Sequence, residues 1–109
     1  MASDIDDKLD CLGDPTRRAV LHLLRQGPRS VGELAEHFPV SRPAISQHLR
    51  ILSDSGFVDA ERVGTRRLYR CRPDAFVSLR SWIDDFWAVA LENFKKRAEH
   101  RAVHRRRSA

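Results

Sequence analysis

Residues 41–54 carry polar side chains of the types that hydrogen bond to the edges of nucleic-acid bases. On a helical wheel of 100° per residue, Ile45, Leu49 and Leu52 share one face, as expected of a helix packed on a core. A solvated helix would favour alternating glutamates and lysines on its other face. The residues there are instead Arg42, Ser46, Gln47 and Arg50.

Arginine pairs with guanine and glutamine with adenine in the DNA major groove, and each bidentate contact contributes ~1–3 kcal/mol of discrimination. The polar face is therefore predicted to read bases, although Gln47 could equally contact a phosphate. With Ser41 as N-cap, Pro43 falls at the second helical position, whose amide has no intrahelical partner. The proline does not break the helix, and its ring lies on the same polar face.

Two helices are predicted ahead of this segment. Asp14 can cap the first, Pro15 suits its first position, and an apolar pattern follows until Gly27. This is predicted to be a core helix.

The second of these helices begins with a capping-box spacing. Ser30 and Glu33 supply the box, and the helix is predicted to end at Pro39. Because only two or three residues connect it to the helix that starts at Ser41, the pair has the form of a helix-turn-helix.

A change to strand periodicity follows Gly56. The runs "FVDAERV" and "RRLYRCR" are separated by Gly64 and Thr65, which predicts a type II′ hairpin. Arginines lie near the tip of this two-stranded ribbon, among them Arg66 and Arg67.

A long C-terminal helix is predicted from residue 74 to residue 100, a stretch without glycine or proline. Its apolar residues step by three or four and are Phe76, Leu79, Ile83, Phe86, Ala90 and Phe94, with Trp82, Trp87 and Leu91 widening the stripe. This surface exceeds what one small domain needs to bury. It is interpreted as a dimer contact in preference to a ligand pocket between subunits.

Charge is concentrated in the middle of the chain. Residues 15–72 hold eleven arginines and five acidic residues, whereas residues 1–14 hold five aspartates and one lysine. Arginine matches phosphates and guanine edges, so this distribution favours a nucleic-acid partner. A chain of 109 residues suits one domain, and no apolar run reaches the ~20 residues of a membrane span. The acidic start lacks a signal-peptide core, so a cytoplasmic protein is expected.

No catalytic set is recognisable in the chain. A Ser/His/Asp set, a carboxylate pair or a phosphate-binding glycine loop cannot be assembled, so an enzyme is not expected. Cys11 and Cys71 are too few for a disulfide framework or a closed zinc site, and neither cofactor nor metal is expected. Both cysteines are interpreted as packed residues, with a thiol-based redox switch as the alternative.

The stretch "VGELAEHFPVSRPAISQHLRILSDSGFVDAERVGTRRLYR", residues 31–70, resembles the winged helix-turn-helix core of the ArsR/SmtB transcriptional repressors. The preceding "DPTRRAVLHLL" is similar to their second helix, and the resemblance extends over roughly residues 5–95. It implies a mainly α fold with a small β-hairpin between the fourth and fifth helices. It also implies a homodimer formed by the first and last helices.

The resemblance places residues of the family's DNA interface on this sequence. The fourth helix would lie in the major groove with Ser41, Arg42, Pro43, Ser46, Gln47 and Arg50, and the wing would carry Arg66 and Arg67. The dimer interface would comprise Leu9, Leu12, Leu79, Trp82, Ile83, Phe86, Trp87, Ala90 and Phe94.

Metal-sensing members of that family carry cysteines in the third helix or Asp and His ligands in the last. Here the corresponding segment is "ELAEHF", without a thiol, and the last helix has no histidine before His100. The chain therefore resembles a subgroup that lacks the usual ligand motifs. A site at His100 and His104 is a minor alternative, and an effector is unknown or absent.

These observations together predict a cytoplasmic repressor that binds an inverted-repeat operator in double-stranded DNA as a homodimer. Residues 1–100 would form the DNA-binding and dimerisation domain, and residues 101–109 a basic, flexible tail. A winged-helix protein-interaction module that does not bind DNA is the alternative from a different functional class.

Overall fold

The structure is a computed structural model, which describes residues 4–108 and the side chains of residues 4–105. Five helices and one two-stranded antiparallel sheet make up the described chain, which confirms the mainly α fold with a small hairpin. The elements are α1 (Asp4–Leu12), α2 (Pro15–Leu24), α3 (Val31–Ala35), α4 (Arg42–Asp54), β1 (Val58–Val63), β2 (Arg66–Cys71) and α5 (Asp74–Ser108).

Side-chain caps fix the starts of the helices as the sequence predicts. The carboxylate of Asp14 accepts hydrogen bonds from the amides of Thr16 (2.8 Å) and Arg17 (3.1 Å), with Pro15 in the first turn of α2. The bonds from these two amides, that of Arg17 first, lower the pKa of the Asp14 carboxyl below its ordinary value. A local signal of a few residues is therefore enough to begin α2.

The third helix is shorter than the sequence pattern predicts. It starts with the expected capping box but ends at Ala35, so the predicted end at Pro39 was wrong. The amides of His37 and Phe38 bond to carbonyls three residues back, at 3.0 Å and 3.4 Å, so the chain leaves the helix in tighter turns. Apolar spacing does not distinguish such turns from a continuing helix.

The hydrophobic core lies entirely among residues up to Leu79. Three residues of α4, Ile45, Leu49 and Leu52, are completely buried in it, as are Leu34 of α3 and Phe57 after α4. The remaining core residues are Cys11, Val20, Leu21, Leu24, Val58, Ala75 and Leu79. This core holds α3 and α4 in the predicted helix-turn-helix arrangement.

The hairpin turns through a two-residue loop. Gly64 has a φ of +64°, and no residue other than glycine has a positive φ in the described chain, so Thr65 does not. A positive φ at the first loop residue alone is the signature of the predicted type II′ turn. The base of the hairpin is attached to the segment before α3, because Arg29 and Tyr69 exchange backbone hydrogen bonds of 3.0 Å and 2.8 Å.

The chain forms two compact units, one up to Leu79 and one from Arg80 onward. The described part of the second unit is helical throughout, so α5 continues beyond residue 100 and no element ends at the predicted domain boundary. The division into residues 1–100 and a tail therefore stays a prediction. Among the described residues, no helix is long and apolar enough to span a membrane.

Candidate nucleic-acid interface

Helix α4 has a buried apolar face and an exposed polar face. Ile45, Leu49 and Leu52 are fully buried on one side, which anchors the helix to the core. The six predicted reading residues are all exposed on the other, namely Ser41, Arg42, Pro43, Ser46, Gln47 and Arg50. The helix thus presents a row of hydrogen-bonding side chains on a rigidly supported backbone.

The first turn of α4 forms as the sequence predicts. The hydroxyl of Ser41 accepts a hydrogen bond from the amide of Ala44 at 3.3 Å, and Pro43 lies within this turn. The side chain of Arg42 extends back over α3, where its guanidinium lies against Gly32. Two residues at the start of α4 are therefore fixed by contacts within the chain.

The hairpin carries arginines on both strands, and their register decides which ones face each other. Arg62 of β1 lies directly opposite Arg67 of β2, and the guanidinium of Arg67 lies 5.4 Å from the ring centroid of Tyr69. Like charges at directly opposed positions destabilise a strand pair, and an anion bound beside both residues would offset that cost. Arg62 was missed in the sequence, although the predicted two-residue loop at Gly64 and Thr65 is the signal that sets it opposite Arg67.

A groove between α4 and the hairpin brings the two predicted contact surfaces together. Arg50 and Ser46 from α4 line it together with Arg67 and Tyr69 from β2. Asp54 also lines the groove and limits its positive potential near the end of α4. Reading helix and wing thus form one continuous surface.

The arginines of this region differ in whether an acidic residue already binds them. Arg70 pairs with Asp59 at 2.6 Å and with Glu61 at 3.2 Å, and the hydrogen bond to Asp59 raises the pKa of Arg70. Arg72 pairs with Asp74 at 2.8 Å, and Arg66 pairs with Glu33. In the part of the chain that the structure describes, no ion pair involves Arg42, Arg50, Arg62 or Arg67.

Neither cysteine has the environment of a reactive thiol. Cys11 is 2% exposed in the core, and Cys71 is half-buried beside it. Burial raises the pKa of both thiols, so both stay protonated near neutral pH and the thiol-based alternative loses support. No group of three or more His, Cys, Asp or Glu residues suited to a metal occurs among residues 4–105.

Most of the predicted dimer residues are exposed apolar side chains. In α5, Phe86 is 66% exposed and stacks on Trp82 with centroids 5.7 Å apart. Leu79 differs, because it is buried in the core of its own protomer. The other exposed members are Leu9, Ile83, Trp87, Ala90 and Phe94, while Leu12 is half-buried.

Comparisons with known proteins point to one family. Residues 14–60 match the model of the arsR family of bacterial regulatory proteins. The chain is 45% identical over 89 residues to the HTH-type transcriptional regulator Rv2034 of Mycobacterium tuberculosis, covering 82% of this chain and 83% of that protein. It is also 36% identical over 75 residues to the transcriptional repressor SdpR of Bacillus subtilis, covering 69% and 83% of the two chains.

Solved structures with a similar fold include members of the same family. One is the solution structure of the homodimeric winged helix-turn-helix DNA-binding domain of a possible ArsR-family regulator from Mycobacterium bovis. It is 29% identical, has a TM-score of 0.61, and matches 82% of this chain and 80% of that one. The chain is thus a DNA-binding transcriptional regulator, not an enzyme, and it belongs to the ArsR family of bacterial regulatory proteins.

Proposed function

We propose that this protein is a cytoplasmic, homodimeric repressor that reads an inverted-repeat operator with α4 and holds the DNA backbone with its hairpin. The observation that carries the proposal is the exposed polar face of α4, which continues through the shared groove onto the arginines of β1 and β2. The proposed contact residues are Ser41, Arg42, Pro43, Ser46, Gln47, Arg50, Arg66 and Arg67, to which the strand register adds Arg62.

The contacts divide by chemistry into those that specify sequence and those that supply affinity. Arg50 and Gln47 lie in the middle of the exposed face, where a helix in the major groove meets base edges. Arg62 and Arg67 face each other on the hairpin and suit phosphates. Each phosphate that is neutralised releases counterions, so affinity should fall steeply with salt.

The homodimer is supported by the exposed aromatic side chains of α5. A set of large apolar groups in water is unfavourable for a monomer, and a two-fold symmetric contact would bury it. Two copies of α4 related by such an axis read two half-sites in opposite orientation. An inverted repeat, with half-sites spaced by about one helical turn or a multiple of it, is the matching operator.

The test is selection of bound duplexes from a random DNA pool with the full chain, followed by affinity measurements on the selected and a scrambled duplex. Arg50→Ala and Gln47→Ala should each lower the ratio of the affinities for the selected and the scrambled duplex roughly 5- to 150-fold, since a bidentate base contact contributes ~1–3 kcal/mol. Both variants should remain dimeric, because neither residue is buried.

Arg70→Gln is the matched control, since Arg70 is already paired with Asp59 and Glu61. Its preference for the selected duplex should equal that of the unchanged protein. Retention of full preference by both α4 variants would refute the assignment of the reading helix. Failure of the chain to enrich any duplex would favour the protein-interaction module instead.

A further inference from the structure

The first turn of α3 contacts two of the proposed DNA-binding arginines, one from each DNA-facing element. Arg42 begins α4 and Arg66 begins β2, and the two are far apart in sequence. Both guanidinium groups reach residues of α3 that are adjacent in sequence, Gly32 and Glu33. The turn helix is therefore a shared support for the reading helix and the wing.

Glu33 has two roles at this support. Its Oε1 atom accepts hydrogen bonds from the amide (3.4 Å) and the hydroxyl (3.1 Å) of Ser30, which closes the capping box and fixes the carboxylate. The same oxygen also pairs with the guanidinium of Arg66 near the hairpin tip. Since Arg29 and Tyr69 already join the base of the hairpin to this segment, the wing is attached at two points.

Gly32 allows the close approach of Arg42. A Cβ atom at Gly32 would lie 3.2 Å from Nη2, 3.4 Å from Cζ and 3.7 Å from Nη1 of Arg42. A Cβ atom here would therefore be tight against the guanidinium of Arg42, which would have to shift by a few tenths of an ångström. Glycine has a lower helix propensity than alanine, so α3 is less stable with Gly32 than it would be with alanine at this position.

We propose that Gly32 and Glu33 are positioning residues for DNA recognition, which orient Arg42 and Arg66 so that α4 and the wing engage one operator together. The proposal rests on the proposed function. It assigns specificity to two residues that need not touch DNA. A purely electrostatic role for Glu33 makes the opposite prediction, since an acidic side chain near a phosphate backbone only weakens binding.

The first experiment compares Glu33→Gln with Glu36→Gln in the full chain, using the selected and the scrambled duplex over a series of salt concentrations. Glutamine can still close the capping box, so the helix start is retained. Glu36 is the matched control, because it is an exposed carboxylate next to the same helix and forms no ion pair with a described residue.

Glu33→Gln should reduce the ratio of the two affinities roughly three- to tenfold, in the lower part of the range expected for coupling between contacting residues, because both side chains are partly exposed. Glu36→Gln should leave that ratio unchanged. Adding Arg66→Gln to Glu33→Gln should lower both affinities through the lost charge but should not reduce their ratio further, because Arg66 has already lost its orientation. Additive effects, or a Glu33→Gln variant that behaves as Glu36→Gln does, would overturn the proposal.

The second experiment separates positioning from folding with Gly32→Ala. Alanine has the higher helix propensity, so the melting temperature should stay equal or rise while the preference for the selected duplex falls. In an Arg42→Gln background the same substitution should not change DNA binding. An unaltered preference in Gly32→Ala would overturn the role of Gly32.

The Arg50→Ala variant distinguishes failure of this inference from failure of the proposed function. If Arg50→Ala loses the preference and both α3 variants keep it, only the positioning role is wrong. If the unchanged protein selects no duplex, the proposed function is wrong and this inference fails with it.

Discussion

Helices α4 and α5 both carry an apolar stripe, and the two stripes are used differently. The stripe of α4 is completely buried against its own protomer, with Ile45, Leu49 and Leu52 at 0% exposure. Beyond Leu79, the stripe of α5 remains exposed, with Phe86 at 66% and Phe94 at 69%. Similar sequence patterns therefore serve folding in one helix and, as we propose, association in the other.

The largest expected effect is on the free energy of unfolding when the buried stripe is changed. Leu49→Ala leaves a cavity in the core and should lower the free energy of unfolding by about 2–5 kcal/mol. Urea denaturation followed by circular dichroism measures this change. A loss below about 1 kcal/mol would show that the α4 stripe contributes little to the stability of the fold.

The second effect is on association, through the exposed stripe of α5. Phe86→Ala should raise the dimer dissociation constant at least about fivefold, because truncation of a central interface aromatic removes more than ~1 kcal/mol. Sedimentation equilibrium measures the constant. Val77→Ala is the control, because Val77 is also exposed but lies on the opposite side of the helical wheel from Phe86.

An unchanged dissociation constant in Phe86→Ala would contradict the proposed dimer contact. An equal rise in both variants would show that α5 associates without a specific face. Either result would remove the distinction between the two stripes.

The smallest effect concerns a local contact of the first unit, the cap of α2. Asp14→Ala should lower the free energy of unfolding by about 1 kcal/mol at neutral pH. The folded-state pKa of Asp14 is lowered, so its stabilisation is fully present above the unfolded pKa of about 3.9 and is lost as the pH falls through the folded value. The difference in free energy of unfolding between Asp14→Ala and the unchanged protein should therefore become smaller at acidic pH.

Asp14→Asn separates the cap from the charge, since asparagine caps a helix as well as aspartate does. This variant should keep most of the stability at neutral pH and lose the acid-dependent part. If the free energies of unfolding of Asp14→Ala and the unchanged protein differ by the same amount at every pH, the charge of Asp14 does not contribute to stability and this prediction is wrong.

The sequence predicts best what a few adjacent residues determine. The caps at Asp14, Ser30 and Ser41 and the turn at Gly64 are local, and all four form as predicted. The buried face of α4 follows from helical spacing alone. These local signals are sufficient for the order of elements and the helix-turn-helix.

Features that depend on contacts between distant segments cannot be predicted from adjacent residues alone. Helical spacing placed Leu79 with the dimer residues, but it does not tell which surface covers a residue, and Leu79 is buried in its own protomer. The pairing of Arg66 with Glu33 joins residues on different elements. The opposition of Arg62 and Arg67 is different, because the predicted two-residue loop at Gly64 and Thr65 already fixes the register of the hairpin.

Arg62 and Arg67 occupy directly opposed positions of the hairpin, where like charges destabilise a strand pair. Part of the favourable free energy of anion binding then comes from relief of repulsion that exists before the anion arrives. The ionic composition of the buffer should consequently alter the order of the free hairpin, and slower amide exchange at its tip in sulfate than in chloride would report it. We therefore expect anion binding at this pair to stabilise the wing.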